Sequence, residues 1–180
     1  MSSATLITNN LHKYAIEGSL PVSVPSTLKA FDDVKFLTTV LRGNGVLKAE
    51  ESVVSVKQSS LGVPGFVSAV CKLTLTYSEG TQAPATMIGK ISGGDLAAEK
   101  QAELKASGKA DEASAIKEPT GLEAKIMHGL FYPNEIRFFA ETSQSLTDAR
   151  FPSCYFAASR GKAHALLLED MSFAQFGDVR

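Results

Sequence analysis

The run from Phe66 to Tyr77 constrains this chain more than any other stretch. Side chains alternate faces along a strand. Val67, Ala69, Cys71, Leu73, Leu75 and Tyr77 therefore share one side, opposite Ser68, Val70, Lys72, Thr74 and Thr76. The first side is apolar or aromatic and the second mixed, the pattern of a strand with one face in a core. Ser60-Leu61-Gly62-Val63-Pro64-Gly65 precedes it and Ser78-Glu79-Gly80 follows, both rich in turn formers. Connections this short join antiparallel neighbours. With Val53 to Lys57 before it and Thr86 to Ser92 after it, the run predicts a three-stranded meander.

The third strand, Thr86-Met87-Ile88-Gly89-Lys90-Ile91-Ser92, carries one charge in an apolar run. Met87, Gly89 and Ile91 lie on one side, and Ile88, Lys90 and Ser92 on the other. Taken by itself, Lys90 reads as a solvent-facing lysine that discourages edge pairing. On a partly covered face it needs a carboxylate or a phosphate.

The helical segments supply a partner. From Leu28 onward, Phe31, Val34, Leu37, Thr38 and Leu41 recur at helical spacing until Gly43-Asn44-Gly45 stops them. Residues before about 30, with Pro21 and Pro25, read as a loosely ordered arm. Leu96 to about Glu118 is rich in Ala, Glu and Lys, with Gly108 as an interruption and Pro119 as a stop. It lacks a wide apolar stripe and predicts an exposed helix. Gly121 to Ser145 predicts another helix, broken or kinked near Pro133. Tyr132, Glu135, Ile136 and Phe139 fall at spacings of three and four, which puts Glu135 in the inward stripe.

Strand patterns return in Ser153 to Ala158 and Ala163 to Leu168, with Arg160-Gly161-Lys162 as the turn between them. Helix, three strands, helices and two strands predict an α+β layer: a five-stranded, mostly antiparallel sheet with a helix packed on one face. With 180 residues, 44% of them hydrophobic, the chain has the material for one domain core.

A net charge of -1, without runs of like charge, gives no field to collect nucleic acid or an anionic membrane, so any anion site must be local. Met1 to Asn10 lacks the basic cluster and apolar run of a secretory signal, and a cytoplasmic protein is expected. Cys71 and Cys154 read as small buried hydrophobes. His12, His128 and His164 form no i, i+4 pair and have no cysteine neighbours, so no metal site is expected. There is no G-x-S-x-G elbow and no Walker-type sequence.

A glycine-tipped hairpin, a third-strand lysine, a glutamate on the following helix and an apolar strand ending in Leu166-Leu167-Leu168-Glu169-Asp170 occur in that order. This arrangement resembles the N-terminal lobe of the protein-kinase-like fold, and more closely the aminoglycoside phosphotransferase and choline-kinase-like group, which includes ecdysteroid-kinase-like proteins. The resemblance covers about residues 35 to 180. It rests on Gly62-Val63-Pro64-Gly65-Phe66-Val67-Ser68, Ile88-Gly89-Lys90, Asn134-Glu135-Ile136-Arg137-Phe138-Phe139, Pro152-Ser153-Cys154-Tyr155 and Leu166 to Asp170.

The resemblance implies an ATP-dependent kinase, with Mg2+, acting on a small-molecule alcohol. Gly62, Gly65 and Ser68 would lie at the phosphates. Lys90, held by Glu135, would meet the α- and β-phosphates, and the backbone of Glu169, Asp170 and Met171 would form the hinge beside adenine. It divides the chain into residues 1–34 as arm and helix start, 35–168 as the lobe, and 169–180 as a hinge-like segment. The hairpin tip departs from the pattern, since it reads Gly62-x-x-Gly65 with Pro64 inside. His128-Gly129 is followed by Leu130, and Gly177-Asp178 has no preceding histidine, so neither supplies the family's His-Gly-Asp base. That base and the metal-binding Asp would lie past Arg180, in a C-lobe absent from this chain. The alternative is a non-catalytic, pseudokinase-like α+β module that binds a ligand or a partner.

Overall fold

The computed structural model describes residues 23–61, 68–93, 96–117, 120–142 and 150–172. Their strands are β1 (Val53–Ser60), β2 (Ser68–Tyr77), β3 (Thr86–Gly93), β4 (Cys154–Arg160) and β5 (Ala163–Glu169). All lie in one five-stranded sheet in the order β1-β2-β3-β5-β4, and every neighbouring pair is antiparallel. The first three strands form the expected meander. β4 and β5 form a hairpin closed by Gly161 and Lys162, and β5 joins it to β3.

Two helical layers cover this sheet. On the first face, the predicted helix from Leu28 divides into a 3-10 turn, Leu28–Asp32, and helix α1, Val34–Gly43. Asp33 makes the division, because its carboxylate accepts from the Lys35 N–H at 2.8 Å and the Phe36 N–H at 3.3 Å. A side chain that caps in this way starts a new helix. Phe31, Leu37, Val40 and Leu41 are fully buried in one cluster with Cys71, Leu73, Met87, Ile91 and Leu167. Each such side chain contributes about 1.5–3 kcal/mol through burial. Asn44 ends the helix and ties it to β4, its amide donating to the Val40 and Tyr155 carbonyls.

On the second face, residues 121–142 follow one helical path: α4 (Gly121–Ile126), a π turn (Met127–Phe131), α5 (Tyr132–Arg137) and a second π turn (Phe138–Thr142). The helical path runs on through Pro133, and its departure from α geometry is the π turn Met127–Phe131 just before Tyr132 and Pro133. Ile136, with Phe139 and Ala140, packs on Ala157, Leu166 and Leu168. The sheet thus carries helices on both faces, where the sequence led us to expect one. The reason lies in β5, whose residues Ala165 to Leu168 are all buried and so require cover on both sides.

Between β3 and α4, Leu96–Ala106 and Ala110–Ala115 form the exposed helices α2 and α3, divided near Gly108, with Ala113 the only buried residue in either. No helix among the described residues is long and apolar enough to cross a membrane.

Gly89 marks a close contact in the first layer. A Cβ there would stand 2.8 Å from the Phe31 ring and 3.1 Å from Cys71 Sγ. Phe31 is fully buried and has no room to withdraw. Gly89→Ala is expected to lower stability by about 1–3 kcal/mol, read as the urea midpoint, and Phe31→Leu in the same chain should recover part of the loss. An unchanged midpoint for Gly89→Ala would contradict this packing.

Candidate functional site

Strand pairing determines which residues meet on the second face. In β2 and β3, Ser68 lies opposite Ser92, Val70 opposite Lys90 and Lys72 opposite Ile88. In β3 and β5, Lys90 lies opposite Leu166 and Ile88 opposite Leu168. Paired residues share a face. Over β4 and β5 that face is covered by α5. Over β2 and β3 it is half-buried and presents Ser68, Val70, Lys72, Thr86, Ile88 and Lys90.

At the boundary between these regions, Lys90 Nζ donates to Glu135 Oε1 in an ion pair. The neighbours of Glu135 explain its aim: Tyr132 and Ile136 are buried, so the turn between them faces the sheet. The Lys90 and Glu135 side chains remain 24% and 30% exposed, and pairs this open contribute about 1 kcal/mol or less. The pair therefore acts through position: it holds an ammonium in one place on a half-apolar surface.

A second pair lies at the other end of the same face. Lys72 Nζ stands 2.7 Å from Asp170 Oδ2, and the Asp170 side chain is 2% exposed. The Ser172 N–H donates to Asp170 Oδ1 at 2.9 Å. Burial raises the pKa of this carboxyl, but hydrogen bonds from Lys72, Ser172 and Thr86 outweigh that and hold it well below the usual carboxylate range.

Glu169, one residue earlier, is held from the other side. The Ser153 N–H and hydroxyl both donate to its Oε2 at 3.0 Å, and Arg150 lies 3.6 Å from Oε1. The Ser153 N–H is the main reason its pKa falls.

Of the residues singled out from the sequence, Lys90 and Glu135 are brought together. Ser68 opens β2 on their face, and Asp170 lies on that face past the end of β5. Met171 follows it, half-buried. Gly62 and Gly65 lie outside the described residues, as do Gly177 and Asp178. Sequence reasoning passed over Lys72. Alternation had already set it on the mixed side of β2, and pairing β2 with β3 puts that side with Lys90.

It also missed a histidine pair. His128, on the first π turn, stacks on His164 of β5 with ring centroids 5.7 Å apart, and Tyr132 touches both rings. His164 Nδ1 lies 2.7 Å from Ser159 Oγ. The two thiols are not nucleophiles, because burial pushes Cys71 up to about 11 and Cys154 up to about 12.

No protein-family model matches the chain, and no curated protein or solved structure matches it either.

Burial, with His128 beside it, pushes His164 down from 6.5 to about 4. It is neutral in the fold, while the unfolded chain protonates near the ordinary value. Its contribution is therefore full above about pH 6.5 and is lost as pH falls toward about 4, by up to about 1.4 kcal/mol per pH unit. Urea midpoints between pH 7 and 5 should fall for the parent chain and fall less for His164→Gln. Equal slopes would contradict the assignment.

Proposed function

We propose that residues 35–168 form the nucleotide-binding lobe of an ATP-dependent phosphotransferase that acts on a hydroxyl group of a small molecule. The observation that carries this reading is the ion pair between a lysine on the third strand and a glutamate on the covering helix. In kinases, such a pair presents the lysine to the α- and β-phosphates, and catalysis is largely positioning and charge stabilisation.

The surroundings of the pair fit the ligand. Lys90 supplies a compact cation for a polyphosphate, and Glu135 keeps it extended before the anion arrives. Val70 and Ile88 lie beside Lys90 and Lys72 on the same half-buried face, an apolar strip suited to a flat ring. In the resemblance, the backbone of Glu169 to Met171 meets the edge of the base.

Magnesium, when bound, would supply positive charge beside the phosphates. Among the described residues no three His, Cys, Asp or Glu side chains gather to hold a metal ion. In this reading the described residues bind and orient the nucleotide, and the resemblance assigns the base and the metal ligands to its C-lobe. The acceptor would be held there too.

Calorimetric titration of the 180-residue chain with ATP–Mg tests the reading. Lys90→Ala should weaken binding about tenfold, and Glu135→Gln should weaken it less, because the lysine keeps its charge. Equal affinity for the parent and Lys90→Ala would remove the basis of the proposal.

A further inference from the structure

Lys72 and Asp170 form a second charge pair, with the carboxylate covered and the Lys72 side chain 31% exposed, that the Lys90 site does not require for its own geometry. Asp170 is the first residue after β5, where the chain is free of the sheet ladder. Yet its carboxylate is nearly fully covered and reached by Lys72 from β2 and by the Ser172 N–H from its own segment. Lys72 also donates to Ser172 Oγ at 3.3 Å. Successive strand residues point to opposite sides, and the two carboxylates use this: Glu169 is fastened to Ser153 before β4, and Asp170 to β2 across β3. The exit of β5 is clamped from both directions.

We propose that Lys72 is a positioning residue for the ligand site: through Asp170 it latches the chain leaving β5 onto β2 and so fixes the backbone of residues 169–171 beside the face that carries Lys90. The inference rests on the nucleotide reading above and assigns the latch to the base end of the ligand, as Lys90 is assigned to its phosphate end. Lys72 and Lys90 are diagonal neighbours on adjacent strands, so each cation serves a separate end of one surface. Each also has its own carboxylate, which limits repulsion between them.

A variant without the cation leaves a buried carboxylate uncompensated. The segment then has a reason to swing Asp170 toward water and carry the backbone with it. The latch thus predicts a loss specific to ligands that have a base.

The test compares ATP–Mg with tripolyphosphate–Mg on the full chain by calorimetry. For Lys72→Met, ATP affinity should fall about tenfold with tripolyphosphate affinity unchanged, and Lys72→Arg, which keeps the charge, should recover most of the loss. Should Lys72→Met not fold, Lys72→Met with Asp170→Asn, which removes the buried charge as well, should show the same selective loss. If the parent binds ATP and the variant binds it equally well, the latch is overturned while the nucleotide reading stands. If both ligands weaken together, Lys72 is a phosphate contact and the positioning role is wrong. If the parent binds neither ligand, the nucleotide reading fails and takes the latch with it.

Discussion

β5 is the element on which the rest of the structure depends. It pairs with β3 along one edge and β4 along the other, and both its faces are covered. Its pairing with β3 joins the N-terminal meander to the C-terminal hairpin in one sheet. A strand paired on both edges and covered on both faces must be apolar almost throughout, and Ala165-Leu166-Leu167-Leu168 meets that demand. The helical path of residues 121–142 follows from it. Leu166 and Leu168 need cover on the side away from α1, and Ile136 supplies it. Glu135 is carried to Lys90 as a consequence.

Polar groups on the second face are confined to places where the apolar cover ends. Along β3, that face runs from Thr86 near Asp170, past Ile88, to Lys90 at Glu135 and then to Ser92 opposite His164. At the far end, Gly93 lets the strand approach the turn of the hairpin, since a Cβ there would stand 2.3 Å from the Lys162 carbonyl oxygen and 2.6 Å from the His128 ring. His128 and His164 fill the corner below it. That corner stacks its imidazoles and keeps His164 neutral, whereas Lys90, nearer the middle of the strand, meets Glu135, and Thr86 at the strand's start lies near the pair of Lys72 and Asp170.

Much of this was readable from the chain because its signals were local. Alternation in Phe66 to Tyr77 identified the core face of β2, and Cys71, Leu73 and Leu75 are buried as that pattern requires. The helical spacing around Glu135 identified both its face and its partner. Most of what escaped depended on pairing between distant segments. The second helical layer was hidden because a run such as Leu166-Leu167-Leu168 states only that a strand is buried, not what covers it. The division at Asp33 was hidden because Phe31 and Leu37 satisfy one helical period while the Asp33 carboxylate chooses the start. Lys72 was hidden because its partner lies almost a hundred residues away.

The two ion pairs differ in their carboxylates, Glu135 being 30% exposed and Asp170 2%, while both lysines keep contact with water. Lys90 and Glu135 keep about a quarter of their surface in water, so the ammonium can exchange part of its contact for an incoming anion at small cost. Asp170 has given up its hydration almost completely and depends on the hydrogen bonds around it to remain ionised. Both pairs lie on one surface, with Ile88 opposite Lys72 and two residues before Lys90 on β3. This face differs from the apolar face under α1, where Phe31 closes directly on Gly89.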